Sequence, residues 1–244
     1  MLVRINNIRV GLSNEHSLVE IIAHKLRVAP QQVKNSKILR RAVDARRKNN
    51  VCLVYHVLID IEESPKKLQN LLDRQEILPW KESLEEELTF GQEPLLDRPV
   101  VIGLGPAGLM AALELAKNGY KPLVLERGKA LKERVKDVEA FWSRGVFNPL
   151  SNVQFGAGGA GTFSDGKLTT RVNDGAMGYI LKTFVEAGAP KDILYEQKPH
   201  VGTDKLRAMV EGLIKAITAQ GGEIRYETQA VDFVLKNNGL VGIK

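Results

Sequence analysis

Residues 100–108 read Val100-Val101-Ile102-Gly103-Leu104-Gly105-Pro106-Ala107-Gly108, an apolar and β-branched run that ends in the pattern G-x-G-x-x-G. The next segment, 109–116, is rich in helix-forming residues and contains no helix breaker. A second apolar run, 123–125, ends in the carboxylate of Glu126. A strand, a glycine turn, a helix, a strand and an acidic residue in this order predict a dinucleotide-binding site in an α/β fold.

Each glycine of this motif has its own expected role. Gly103 allows a tight turn at the strand end, Gly105 lets the backbone approach a pyrophosphate, and Gly108 lets the helix pack against the strands. We expect the N–H groups of the first helical turn, with the helix dipole, to hold the phosphates. Glu126 can accept hydrogen bonds from both hydroxyls of an adenosine ribose. The alternative is a glycine turn that binds nothing, and the flanking strands, helix and acidic residue disfavour it.

The composition of the 244 residues, 43% hydrophobic and 26% charged, is typical of soluble globular proteins. The sequence has neither a long apolar run nor the apolar core of a signal peptide, so we expect a cytoplasmic location without a membrane partner. The single cysteine, Cys52, excludes an internal disulfide and a cysteine-based metal cluster. No metal site is predicted.

The net charge of +6 is concentrated in residues 25–48, where Asp44 is the only acidic residue. A basic surface of this kind either binds a polyanion such as nucleic acid or simply faces solvent. The segment has no interleaved aromatic residues and no recognised nucleic-acid motif, which favours the solvated face. Nucleic-acid binding stays as the less favoured alternative.

The hydrophobic pattern predicts three regions. Residues 1–62 form a small basic α+β domain with the order β-α-β-β, and Ser17-Leu18-Val19-Glu20 has the form of a capping box. Residues 63–98 have the composition of a linker with short helices. Residues 99–244 form a Rossmann-like nucleotide-binding domain.

A second glycine-rich stretch, residues 152–168, reads N-V-Q-F-G-A-G-G-A-G-T-F-S-D-G-K-L. Its glycines suit neither a strand nor the interior of a helix. Such a loop presents backbone N–H groups in a concave array, which suits phosphate oxygens or the edge of a flavin ring. The alternative is a flexible surface loop, but Phe155, Phe163 and Leu168 are apolar anchors that a flexible loop would lack.

Residues 100–128, 152–168 and 198–206 together resemble a bacterial family of uncharacterised FAD-dependent dehydrogenases, also described as NAD(P)/FAD-dependent oxidoreductases. The wider superfamily consists of flavoproteins with two dinucleotide-binding folds. The resemblance implies an FAD-binding Rossmann-like domain in residues 99–244, FAD as cofactor, NAD(P)H as a candidate electron donor and an unidentified small-molecule substrate. Members of the family are longer, so the resemblance also implies an amino-terminal fragment whose FAD-binding fold is incomplete.

The same resemblance implies the residues that contact the cofactor. The pyrophosphate would be held by Gly103, Gly105, Pro106, Ala107 and Gly108. Glu126 would bind the adenosine ribose with Arg127 beside it, and Ala230 stands where the backbone clasps the adenine. The path from the phosphates to the flavin would be lined by Gly159, Gly161, Thr162, Ser164, Gly166, Lys167 and Leu168.

The sequence contains no compelling catalytic acid or base. His200 is one candidate, although a lone histidine before a helix is more often a local hydrogen-bonding residue. Lys167 is the other, because it could stabilise an anionic reduced flavin or pair with a phosphate. NAD is the alternative nucleotide at the first site, but the helix after Gly105 and the second glycine-rich stretch favour FAD. Glu126 would repel the 2′-phosphate of NADP.

Overall fold

The structure is a computed structural model, and it describes residues 1–80, 89, 91–92, 95, 97–170, 174–237 and 239–244. The chain forms two compact units. The amino-terminal unit comprises Met1–Gly91 together with Leu194–Pro199, and the carboxy-terminal unit comprises Gln92–Ile193 together with His200–Lys244.

The amino-terminal unit is built on a four-stranded antiparallel sheet with the order β2-β3-β1-β4. Its strands are β1 (Leu2–Gly11), β2 (Val33–Asp44), β3 (Cys52–Ile61) and β4 (Leu78–Pro79). Its α-helices are α1 (Leu18–Leu26) and α2 (Pro65–Asp73). The predicted β-α-β-β order is present in β1, α1, β2 and β3.

The core of this unit lies between the sheet and the helices. Val3, Ile5 and Ile8 of β1 are buried, and a bulge between Ile5 and Ile8 keeps all three on the core side. Asn7, in this bulge, has a φ of 56°, in the left-handed region. The opposing helix α1 contributes Ile22 among its buried residues. Irregular backbone therefore restores the apolar face where the sequence breaks strict alternation.

The predicted capping box is confirmed at the start of α1. The backbone N–H of Glu20 donates to Ser17 Oγ at 3.3 Å, and the backbone N–H of Ser17 donates to Glu20 Oε2 at 2.7 Å. The backbone N–H of Ser17 is the largest cause of the lowered pKa of Glu20, and the Ser17 side chain lowers it further. The motif therefore fixes the first turn of α1 through residues that are adjacent in sequence.

In the structure, the first part of the predicted linker 63–98 belongs to the amino-terminal unit. Leu71 of α2 and the following Ile77 are buried in the core of the amino-terminal unit, and β4 pairs with β1 through Val3 and Arg4. The reason is the helical spacing of the leucines of α2, which gives this helix an apolar face that packs on the sheet. Residues 81–88, 90, 93–94 and 96 of the predicted linker lie outside the described residues.

Ion pairs neutralise part of the basic segment 25–48. The pairs are Lys34–Glu62, Arg41–Glu196 and Arg46–Asp44. The Arg46 side chain is also the main reason why the pKa of Asp44 lies well below its usual range. These pairings reduce the positive charge that this surface offers to a polyanion.

The carboxy-terminal unit contains a three-stranded parallel sheet with the order β5-β6-β7 and a separate antiparallel hairpin. The strands of the sheet are β5 (Val100–Ile102), β6 (Leu123–Leu125) and β7 (Glu223–Arg225), and the hairpin consists of β8 (Phe233–Lys236) and β9 (Gly239–Ile243). The α-helices are α3 (Pro106–Lys117), α4 (Leu131–Arg144), α5 (Ala176–Glu186) and α6 (Thr203–Ala219). Residues 99–244 thus contain a parallel α/β arrangement.

The helices α3 and α6 pack against each other and against this sheet. Val124 of β6 is fully buried in the shared core, whereas Val100 and Ile102 of β5 are 41% and 51% exposed. Successive strand residues point to opposite faces, so the helices cover one face of β5 and leave the other accessible.

The part of the chain that the structure describes contains no helix that is long and apolar enough to cross a membrane. The same residues contain no group of three or more histidine, cysteine, aspartate or glutamate side chains arranged to hold a metal ion.

Candidate functional site

The glycine turn joins β5 to α3. Gly103 has a φ of 91°, in the region that favours glycine, and its N–H donates to the carbonyl of Leu125 at 2.8 Å. A Cβ on Gly108 would overlap the carbonyl oxygen of Gly103 and lie 3.0 Å from its carbonyl carbon. Gly105 is the N-cap of α3 and provides no side chain to cap it. The turn is therefore tight, and the start of the helix carries no side-chain cap that would compete with an anion.

A cavity of about 340 Å³ opens beside this turn. It lies at the carboxyl ends of the three parallel strands, where ligands bind in open α/β sheets. Its lining residues are Ile102, Gly103, Gly105, Leu125, Glu126, Arg127, Gln154, Phe155, Gly156, Gly159, Thr228, Gln229 and Ala230.

Several predicted site residues meet in this cavity although they are distant in sequence. They are Gly103, Gly105, Glu126, Arg127, Gly159 and Ala230. The predicted residues Pro106, Ala107 and Gly108 form the first turn of α3, next to Gly105, and are not among the lining residues of the cavity.

Glu126 is only 5% exposed, and the backbone holds its carboxylate from two sides. Oε2 accepts the N–H of Leu104 and Oε1 accepts the N–H of Gly128, each at 2.8 Å. A carboxylate oxygen can accept a second hydrogen bond, so each oxygen keeps the capacity to bind a hydroxyl. Glu126 thus supports the glycine turn and also lines the cavity.

We expect Glu126→Gln to reduce the free energy of unfolding of the carboxy-terminal unit by about 1–3 kcal/mol. An amide supplies only one acceptor oxygen, so its NH₂ group must face one of the two buried backbone N–H groups. Glu139→Gln, at an exposed position of α4, is the matched control and should leave stability within about 0.5 kcal/mol of wild type. Urea denaturation measures both variants, and equal midpoints would contradict the assigned support of the turn.

Arg127 stacks on an aromatic ring from the second glycine-rich stretch. Its guanidinium carbon lies 3.2 Å from the centroid of the Phe155 ring, and both side chains line the cavity. Arginine on an aromatic face is a favourable cation–π arrangement. The pair joins the segment after β6 to the glycine-rich stretch and places a positive charge at the cavity.

The first half of the glycine-rich stretch packs directly on the glycine turn. The N–H of Gly158 donates to the carbonyl of Leu104 at 2.8 Å. A Cβ on Gly159 would lie 3.1 Å from the Cα of Gly105, and the φ of Gly159 is 70°. Glycine at position 159 therefore allows two backbone segments to approach each other beside the cavity.

Arg134 is the main residue that the sequence did not identify. It is fully buried on α4, and Nε, Nη1 and Nη2 all donate to backbone carbonyls of the glycine-rich stretch. The acceptors are Asn152 at 2.9 Å, Val153 at 2.9 Å, Gly156 at 3.1 Å and Ala157 at 2.6 Å. Burial lowers the pKa of Arg134 to about 10.

A sequence signal for Arg134 does exist. Leu131, Arg134 and Val138 are spaced three and four residues apart, so they share one face of α4, and all three are buried. A cationic residue on the apolar stripe of an amphipathic helix indicates a buried charge that needs hydrogen-bond acceptors.

The second half of the stretch does not line the cavity, although the resemblance assigned it cofactor contacts. The residues concerned are Gly161, Thr162, Ser164, Gly166, Lys167 and Leu168. The hydroxyl of Ser164 donates to the carbonyl of Gly161 at 2.7 Å and accepts the N–H of Gly166 at 3.0 Å. Thr162 Oγ1 donates to the carbonyl of Ala157 at 3.4 Å, and Leu168 packs against the core. These residues shape the loop, and their contact with a flavin stays a prediction.

The two candidate catalytic residues are neighbours outside the cavity. Lys167 and His200 form an isolated antiparallel bridge, and the next residue, Val201, donates its N–H to the carbonyl of Gly166 at 3.0 Å. Lys167 is exposed and forms an ion pair with Asp165 at 2.9 Å. A catalytic role for Lys167 or His200 stays a prediction.

Several other residues that line the cavity were not predicted individually from the sequence. Thr228 and Gln229 follow β7, and Ile102 and Leu125 end β5 and β6. Their position at the carboxyl ends of parallel strands is a usable signal, because these ends meet at one edge of the sheet. Gln154, Phe155 and Gly156 belong to the predicted ligand loop, but the sequence did not show which half of the loop faces the cavity.

Two parts of the chain match known protein families. Residues 98–162 match the FAD binding domain, and residues 2–60 match a domain of unknown function (DUF8436). The FAD binding domain match includes the glycine turn, Glu126, Arg127, Arg134 and the first half of the glycine-rich stretch.

Two relatives match different shares of the chain. An uncharacterized protein of Clostridium beijerinckii is 40% identical over 245 residues, which cover 100% of this chain and 46% of the clostridial protein. A digeranylgeranylglycerophospholipid reductase of Methanocaldococcus jannaschii is 36% identical over 87 residues, which cover 34% of this chain and 22% of that protein. The matched residues cover less than half the length of either relative. The FAD binding domain match covers most of the residues that line the cavity, and FAD is the cofactor of this chain.

Proposed function

We propose that this chain is the FAD-binding part of an oxidoreductase, with a Rossmann-like carboxy-terminal unit that holds the ADP half of FAD. The observation that carries the proposal is the cavity, which brings the glycine turn, the Glu126 carboxylate and residues 154–159 together at the ends of three parallel strands. A volume of about 340 Å³ lies near the lower end of the range for small-molecule sites, which suits part of a dinucleotide.

The arrangement of the cavity fits the ADP half of FAD. Gly105 and the N-terminus of α3 would face the pyrophosphate, because no side chain caps this end of the helix and the helix dipole favours anions. Glu126 would accept hydrogen bonds from the ribose hydroxyls, and the backbone near Ala230 would contact the adenine. Arg127 adds a positive charge to the same wall. Bound FAD would supply the redox chemistry, while these residues bind and orient it.

The similarity to a protein named as a reductase supports a redox function. We infer a dehydrogenase-type reaction on an unidentified small molecule, with NAD(P)H as the proposed electron donor. The ADP half is common to FAD and NAD, so an experiment must compare ligands that share this half with ligands that lack it.

Calorimetric titration of the chain with FAD, ADP, NAD and FMN tests the proposal. We expect FAD and ADP to bind and to compete with each other, because both carry the pyrophosphate and ribose that the cavity fits. FMN lacks the adenosine and should not compete. NAD should bind more weakly than FAD. Binding of FMN as tight as that of FAD, or the absence of binding by both FAD and ADP, would refute the assignment.

A further inference from the structure

Arg134 connects the glycine-rich stretch to the glycine turn through a continuous hydrogen-bond network. Arg134 Nη1 donates to the carbonyl of Ala157 at 2.6 Å, and the N–H of the same peptide unit, from Gly158, donates to the carbonyl of Leu104 at 2.8 Å. The N–H of Leu104 in turn donates to Glu126 at 2.8 Å. The arginine, the loop and the carboxylate at the cavity therefore share one network.

The guanidinium has an unusual environment. Arg134 is fully buried, and among the residues that the structure describes its hydrogen bonds go to backbone carbonyls. Burial lowers its pKa, and the charge of nearby Glu126 offsets this effect only in part. Burying a charge is costly unless hydrogen bonds compensate for the lost water. The four loop carbonyls provide these bonds, and the ring of Phe163 lies 4.9 Å from the guanidinium carbon. The folded form of the loop and the charged arginine thus depend on each other.

The carbonyls that Arg134 holds flank the lining residues of the loop. Asn152 and Val153 precede Gln154 and Phe155, and Gly156 is both an acceptor and a lining residue. A side chain on Gly156 would collide with the Arg134 side chain, so the two are in direct contact. Displacement of the arginine would remove four of the hydrogen bonds that hold this wall of the cavity.

We propose that Arg134 is a positioning residue for the cofactor, whose forked guanidinium holds residues 152–157 against the glycine turn and Glu126. The identity of the ligand rests on the proposed function. Arg134 itself does not line the cavity and acts through the loop. The planar guanidinium donates hydrogen bonds to four carbonyls at once, and the single ammonium group of lysine cannot reproduce this arrangement.

Arg207→Gln is a matched control for Arg134→Gln. The Arg207 guanidinium carbon also lies 4.9 Å from the Phe163 ring, but Arg207 forms no hydrogen bond to the described residues of the loop. Arg134→Lys keeps the charge without the fork and is the milder variant if Arg134→Gln does not fold. Two readouts are compared for each variant: hydrogen exchange of the loop peptides in the absence of ligand, and the dissociation constants of FAD and ADP.

We expect Arg134→Gln to speed exchange in residues 152–159 by about tenfold or more while the amides of α6 keep their protection. Its dissociation constants for FAD and ADP should rise by about tenfold or more. Arg134→Lys should show the same changes to a smaller extent, and Arg207→Gln should change neither readout by more than about threefold.

A different pattern would overturn the proposal. If Arg134→Gln only lowers the denaturation midpoint, with wild-type loop exchange and wild-type affinities, Arg134 is an ordinary core residue. Wild-type behaviour of Arg134→Lys would show that charge, not the fork, is required. If the wild-type chain binds neither FAD nor ADP, the proposed function fails, while the exchange comparison still decides whether Arg134 holds the loop.

Discussion

Gly105→Val is expected to weaken FAD binding strongly and to leave the fold intact. A Cβ at this position would meet nothing closer than the Cα of Gly159 at 4.0 Å, and the φ of −80° suits any residue. The backbone therefore accommodates a Cβ, and the valine side chain would occupy the space where the pyrophosphate must approach the backbone. We expect the dissociation constant to rise by about a hundredfold or more, equivalent to about 2.8 kcal/mol.

Calorimetric titration and urea denaturation of the same preparations separate binding from folding. Gly105→Ala should give a smaller effect in the same direction, and its loss of stability should stay below about 1 kcal/mol, because alanine is a poorer N-cap than glycine. Gly178→Ala, a helical position on α5 with open space around it, is the control and should bind FAD like wild type. Wild-type affinity of Gly105→Val would show that the pyrophosphate lies elsewhere.

Gly108→Ala is expected to destabilise the carboxy-terminal unit by about 3 kcal/mol or more, because the added methyl group would overpack a rigid contact. The methyl group would overlap the backbone carbonyl of Gly103, which a side-chain rotation cannot relieve. Helix propensity alone predicts the opposite, since alanine in a helix is favoured over glycine by about 1 kcal/mol. We expect the steric term to dominate because it is larger and involves two backbone segments.

Denaturation monitored by hydrogen exchange tests this prediction. Protection should fall in α3 and in the sheet β5-β6-β7, whereas the amino-terminal sheet should keep its protection and serves as an internal reference. Gly178→Ala again provides the matched glycine-to-alanine change at a helical position with free space. A Gly108→Ala variant as stable as wild type would contradict the tight packing of helix and turn.

The sequence alone determined the features that depend on neighbouring residues. The capping box of α1 requires only Ser17 and Glu20, and the turn at Gly103 requires only a backbone that adopts a positive φ. The order of strand, turn, helix and strand around Gly105 follows from short periodic runs. These local preferences were sufficient to predict the amino-terminal β-α-β-β order and the glycine turn with Glu126 after the second strand.

The tertiary structure decided the features that join distant residues. It placed α2 and β4 in the amino-terminal unit, and it selected the first half of the glycine-rich stretch, not the second, as a cavity wall. It also placed Arg134 beneath this loop and gave Glu126 two backbone donors. Such contacts depend on which surfaces meet after the chain has folded. Burial then determines the free-energy cost of each polar group and the hydrogen-bond partners that it needs. Local spacing in the sequence predicts neither of them.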